Sequence, residues 1–197
     1  MVSQLGADAL GLVFYPKSSR YVSIAQASEI AAVIPPFVSV VGLFLDADQG
    51  FVQDVLDAVP LDTLQFHGSE NAVFCRQFAR PYMKALGMKG VQGGDTLVRY
   101  AEDYADAKGI LVDSHEPGAA GGTGYVFDWT QLPHDYPKPL ILAGGLTADN
   151  VCRAIETTQV YAVDVSSGVE ISPGRKDRVK MAAFMQSVKQ GQGRLVA

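Results

Sequence analysis

The sequence has little of what builds a metal site or a disulfide framework. Its 197 residues include two cysteines, three histidines and one tryptophan. Cys75 and Cys152 are too few to staple a fold and are not spaced as metal ligands. Both fall in segments that read as helices, the pattern of buried thiols in a reducing compartment. Charge is sparse as well, at 19% against a usual ~25%. The balance is acidic, net −5 with a pI near 5.1, and no lysine- or arginine-rich run occurs. That excludes a general nucleic-acid binder, which needs a basic footprint to displace counterions from phosphates. No apolar stretch approaches the ~18–20 residues of a membrane span. The opening Met1-Val2-Ser3-Gln4-Leu5 has no basic region of a secretion signal, so a cytoplasmic protein without membrane attachment is expected.

What is present is an ordinary core fraction, 48% hydrophobic, and twenty glycines that cluster. The length suits a single domain over 1–197. Seven short apolar runs rich in β-branched residues recur at 9–15, 38–45, 63–67, 82–88, 109–114, 140–146 and 160–166. Most are continuously apolar, as strands covered on both faces of a parallel sheet must be. Helical stretches lie between them, at 24–34, 50–58, 69–78, 94–105, 148–156 and 178–189. Ser23 and Ser69 are placed to cap two of these, and Asp149 and Asp177 stand near two further starts. Repeated strand-then-helix units mean an α/β fold, either an open doubly wound sheet or a (β/α)8 TIM barrel.

Polar residues help to decide. Arg20, Asp46, His67, Asp113 and Gly144-Gly145 all fall at or just past the C-terminal end of a strand. In a barrel those ends converge on one mouth, whereas an open sheet concentrates its chemistry at one switch point. No Gly-x-Gly-x-x-Gly or Walker-type loop follows the first strand, so the barrel is favoured, one strand short of eight. Gly144-Gly145 and Ser166-Ser167-Gly168 end successive strands; exposed N–H groups and a hydroxyl there suit phosphate oxygens, and tight turns without a ligand are the alternative. Gly121 and Gly122 lie in the long 114–124 loop, which reads as a cover over a site or a plain surface loop. Asp113 leaves an apolar strand at the mouth. Partial burial would raise its pKa and suit it to deliver a proton, while a structural carboxylate is an equal reading of position alone. Asp164 reads as a supporting carboxylate. Arg20 precedes a helix and could grip a carboxylate bidentately or simply face solvent; His67 reads best as structural support.

These segments together resemble the phosphoribosylanthranilate isomerases of tryptophan biosynthesis. The resemblance is carried by Gly6-Ala7-Asp8-Ala9, Val13-Phe14-Tyr15, Ser19-Arg20-Tyr21 and Leu64-Gln65-Phe66-His67-Gly68. Leu111-Val112-Asp113, Gly121-Gly122-Thr123-Gly124, Phe127-Asp128-Trp129 and the stretches 142–151 and 163–177 complete it, in order, over nearly the whole chain. The resemblance implies a (β/α)8 barrel that performs an Amadori rearrangement with no metal or cofactor. N-(5-phosphoribosyl)anthranilate would become 1-(2-carboxyphenylamino)-1-deoxyribulose 5-phosphate. It implies Asp113 as general acid, Arg20 as clamp on the anthranilate carboxylate, and Asp164 close to the reacting sugar. Gly144, Gly145, Ser166, Ser167 and Gly168 would hold the phosphate, with His67, Gly121 and Gly122 in supporting or loop positions.

The family pattern begins with a strand bearing a base cysteine, and this chain matches it only from the end of the first helix. The expectation is therefore a barrel without its first strand and most of its first helix. Cys75 and Cys152 match neither the motif nor the place of that cysteine. Such a barrel leaves two strand edges open to pairing with a second copy. The alternative function is a non-catalytic binder of phospho-ligands on a barrel remnant. The histidine-pathway sugar isomerase is a weaker match, having two similar half-barrels where this chain has only the late pair of phosphate turns.

Overall fold

The computed structural model describes residues 2–89, 94–114 and 127–195. The seven apolar runs become seven parallel strands: β1 (Ala9–Val13), β2 (Ser39–Phe44), β3 (Thr63–Phe66), β4 (Tyr82–Gly87), β5 (Gly109–Asp113), β6 (Leu140–Leu142) and β7 (Ala162–Val163). They pair strictly in sequence order. A parallel neighbour can be reached only by a crossover. Helices α1 (Ile24–Ala32), α2 (Gln49–Ala58), α3 (Ala72–Arg76) and α4 (Gly94–Asp103) link β1 through β5 in turn, α5 (Val151–Thr158) links β6 to β7, and α6 (Arg178–Leu195) closes the chain after the last strand. A small antiparallel hairpin of β8 (Glu170–Ser172) and β9 (Arg175–Lys176) precedes α6.

Alternation along each strand makes two apolar layers. Phe14, Phe44 and Phe66, from or just after β1, β2 and β3, form a row under the helices, with Phe14 stacked on Phe44 at 5.3 Å and Phe44 against Phe66 at 6.1 Å. Each of these rings is fully buried and contributes about 1.5–3 kcal/mol, a strong constraint on strand register. The opposite face carries smaller groups, Ala85, Leu111, Ile141 and Ala143, with Met83 and Ala162 beside them. That face is the inside of the curl, and residues alternating with the helix-facing ones, such as Gln65 and Asp113, extend along it to the strand ends.

Local signals explain most helix starts. Ser23 and Gln26 make a reciprocal capping box on α1, Asp48 caps α2, and Asp177 accepts from Val179 and Lys180 at the start of α6. The helix expected over 69–78 is shorter, and Asn71, not Ser69, is its cap. Ser69 N–H is spent on Asp46 and the Glu70 carboxylate on two other backbone N–H groups, which holds 69–71 out of the helix. The sixth strand also ends earlier than 146, because Gly144 and Gly145 turn the chain with φ of 81° and 66°, and the seventh ends at Val163, short of 166. Apart from one bridge between Val13 and Tyr21, no strand among the described residues pairs with the outer edge of β1 or β7.

Candidate active site

The C-terminal ends of β5, β6 and β7 meet around a water-sized cavity of about 30 Å³. It is lined by Asp113, Gly144, Gly145, Leu146, Asp164, Val165, Ser166 and Ser167. A larger cavity of about 310 Å³ lies at the β7 edge, lined by Ile155, Val160, Tyr161, Ala162, Val163, Val188 and Gln192. It contains no residue with a carboxyl, imidazole or thiol group, whereas the smaller cavity brings two carboxyl groups together.

Asp113 is the last residue of β5 and is 7% exposed. Its Oδ2 stands 3.9 Å from His67 Nε2. Gly144 is constrained by this neighbourhood: with φ at 81°, a Cβ there would also collide with Asp113 and with Ser114. Gly168 is constrained by the next turn, where a side chain would strike the Leu146 carbonyl. The two glycine turns are therefore packed against one another. Ser166, Ser167 and Gly168 lead into a single helical turn, Ser167–Val169, beside the Gly144-Gly145 turn. Backbone amides crowded in this way suit an anionic group.

Asp164 faces the same cavity as Asp113. Desolvation in the crowded mouth and the like charge of Asp113 both raise its pKa. Its side chain is nonetheless open to solvent, so the like charge is the cause that survives that exposure. Two carboxyl groups sharing one cavity favour a state in which one keeps its proton, and the upward shift falls on Asp164.

Arg20 does not stand free. Its Nε and Nη2 donate to the two oxygens of Glu170 at 2.9 and 2.8 Å, and Lys176 Nζ donates to the same carboxylate at 3.0 Å. Burial works against the charge, but these donors hold Glu170 below the usual carboxylate range. Lys176 also donates to the Ser166 carbonyl, tying the Arg20 loop to the serine turn. Glu170 and Lys176 escaped sequence reasoning; the signal available was an acidic residue opening a Glu-x-x-Pro-Gly-Arg-Lys hairpin directly after the phosphate-type turn.

His67, just past β3, is 6% exposed, and its Nδ1 lies 3.1 Å from Gln65 Nε2. Asp46 faces Ser69, a structural tie. Gly121 and Gly122 lie outside the described residues. The cysteines are remote from the cavity: Cys75 is sealed on α3 with burial pushing its thiol up to about 12, and Cys152 on α5 pairs with Glu156. Among the described residues no group of three or more His, Cys, Asp or Glu could hold a metal ion, and no helix is long and apolar enough to cross a membrane.

Comparison with known proteins gives a consistent match. The family described as "PRAI: N-(5'phosphoribosyl)anthranilate (PRA) isomerase" matches residues 1–187. A protein of Pseudomonas aeruginosa named N-(5'-phosphoribosyl)anthranilate isomerase is 54% identical over 93% of this chain and 86% of its own length. A relative of the same name from Stutzerimonas stutzeri is 51% identical over 96% of this chain and 90% of its own. Among solved structures, phosphoribosyl anthranilate isomerase of Thermotoga maritima aligns with a TM-score of 0.83 at 38% identity, covering 95% of this chain and 91% of that one. A further phosphoribosyl anthranilate isomerase structure, in complex with reduced 1-(o-carboxyphenylamino)-1-deoxyribulose 5-phosphate, aligns with a TM-score of 0.76 at 35% identity, over 95% and 90% of the two chains.

Proposed function

Since the chain belongs to the N-(5'-phosphoribosyl)anthranilate isomerase family, with its (β/α)8 fold, we propose that it isomerises N-(5'-phosphoribosyl)anthranilate in tryptophan biosynthesis, with Asp113 as general acid. The observation that carries the assignment is the placement of Asp113. It is a nearly buried carboxyl at the end of β5, facing a second carboxyl, Asp164, across a cavity walled by two glycine turns.

The chemistry follows from that placement. Asp113 gives its proton to the furanose ring oxygen as the C1–O bond breaks, and the anilino nitrogen lone pair closes the Schiff base. A base then removes the C2 proton, and the enolamine relaxes to the ketone. Cys75 and Cys152 take no part in that step, since one is sealed on α3 and the other lies on α5. The amides and hydroxyls of Gly144, Gly145, Ser166, Ser167 and Gly168 receive the phosphate, and the edge of Arg20 not held by Glu170 receives the anthranilate carboxylate. A dimer through the open edges of β1 and β7 belongs to the same reading, and light scattering on the purified chain reads it directly.

Loss of anthranilate-type fluorescence on adding fresh substrate tests the function. Turnover is expected for the chain, with Asp113→Asn lowering kcat by ~10²–10⁴ while phosphate-ligand affinity holds. A chain that binds a product analogue yet never converts substrate would leave only the binder. Equal turnover in Asp113→Asn removes Asp113 from the acid's role.

A further inference from the structure

Gln65 and His67 occupy alternate positions at the end of β3, so both face the inside of the curl. Each is 6% exposed, in a layer otherwise made of Met83, Ala85, Leu111 and Ile141. Polar groups sealed in such a layer are costly unless each finds a partner. Gln65 finds one in the ring, its Nε2 lying 3.1 Å from His67 Nδ1.

That contact decides where the ring proton sits. In this orientation of the amide its nitrogen, which carries two hydrogens and offers no lone pair, faces the ring, so Nδ1 is the acceptor. The ring hydrogen is then on Nε2, the nitrogen 3.9 Å from Asp113 Oδ2. β4 runs between β3 and β5, and its residue in register with Asp113 is Gly87, which puts no side chain between ring and carboxyl.

We infer that Gln65 and His67 are a positioning pair for Asp113, in which the Gln65 amide holds the His67 imidazole neutral with its Nε2–H presented to the Asp113 carboxyl. The inference rests on the reading of Asp113 as the acid. Its physical content is the difference between a dipole and a charge. A neutral N–H supports the carboxylate that appears once Asp113 has delivered its proton. An imidazolium at the same place would hold Asp113 ionised beforehand and empty it of the proton it must give. Adding a second proton to this ring would set an Nδ1–H against the amide hydrogens, so Gln65 opposes that state.

Two amide replacements separate this from simple filling of the layer. Glutamine at 67 reaches about as far as Nε2, and asparagine only about as far as Nδ1. His67→Asn is expected to lower kcat by ~10–10²-fold with KM changed less than ~3-fold, and His67→Gln to recover most of that loss. The ring 15N spectrum of the intact protein at neutral pH is expected to show a neutral ring protonated on Nε2. Gln65→Leu should give a mixture of tautomers without lowering the urea midpoint enough to unfold the chain. In Asp113→Asn the Nε2 resonance should move while Nδ1 stays. Equal kcat losses in both His67 variants would overturn the proposal, as would an Nδ1–H or doubly protonated ring in the unmodified chain. Undiminished turnover in Asp113→Asn strikes the acid reading instead, and the ring spectrum still decides the tautomer.

Discussion

Glu70, after β3, and Glu170, after β7, each gather basic groups and loop backbone, and they do so in opposite ways. Glu70 accepts from the backbone N–H groups of Asp46 and Gly68 and faces Lys84 Nζ at 3.3 Å. Lys84 spends its remaining hydrogens on the Gly68 and Phe66 carbonyls, and both side chains are sealed, at 0% and 3% exposure. Nothing is left over for a ligand. Burial pushes the Lys84 pKa down while Glu70 opposes the shift, the signature of a charge that serves the fold. Glu170 is equally buried, but its partners Arg20 and Lys176 reach solvent, at 19% and 35%. Arg20 uses Nε and Nη2 there, and its Nη1 edge makes no hydrogen bond among the described residues. A planar guanidinium can be gripped on one edge and still bind on another; an ammonium surrounded by acceptors cannot. The first cluster fixes the β2 and β3 loops, and the second leaves one edge of a cation unspent on a loop that Lys176 ties to the serine turn.

Breaking the sealed cluster should have the largest effect. Lys84→Ala leaves Glu70 buried with its charge uncompensated, and about 3–5 kcal/mol of stability should go, read as a lower urea midpoint. A loss under about 1 kcal/mol would mean that water reaches this cluster and that the two are alike. Glu170→Gln should cost less, about 1.5–3 kcal/mol, since the released cations can turn to solvent. It should also raise KM for the carboxylated substrate by more than it lowers kcat, because Arg20 is no longer aimed.

Acid sharpens the comparison further. The folded pKa of Glu170 lies below its ordinary 4.5, so the unfolded chain binds more protons between the two values. Its contribution to stability is therefore fully present above about 4.5 and is lost as pH falls through the lowered folded value. In Glu170→Gln that part of the acid dependence should vanish. Urea melts of the two proteins that stay parallel between pH 5 and pH 3 would count against it.

Of this architecture, the strands were the most legible in the sequence, because runs such as 109–112 and 40–44 are apolar on both faces and admit little else. Helix starts were legible where a side chain does its local work, as Ser23 and Asp177 do. At Ser69 the same rule failed because its N–H is tied to Asp46 while the next residue, Glu70, accepts from the Gly68 and Asp46 backbone. Asp113, Asp164 and the two glycine turns could be found from their place at strand ends. Glu170 could not be joined to Arg20, since 150 residues separate them and only the folded curl brings them together. Gln65 was hidden for the converse reason: inside an apolar strand, its meaning comes from the single ring nitrogen it faces.

Ser114 combines the burial of the Glu70 cluster with none of its satisfaction. It follows Asp113 just past β5, is 2% exposed, and its Oγ has no hydrogen-bond partner among the described residues. A sealed hydroxyl without a partner costs what it lost in leaving water, so removing it should help where removing Lys84 harms. Ser114→Ala preserves the backbone beside Gly144 and is expected to stabilise the chain by about 1 kcal/mol, with kcat and KM unchanged. This is the smallest of the effects and the most direct check on what distinguishes the clusters, because it varies satisfaction at constant burial. Destabilisation by Ser114→Ala would mean that burial in this fold is tolerated for polar groups without partners. The contrast between Glu70 and Glu170 would then have to rest on charge alone.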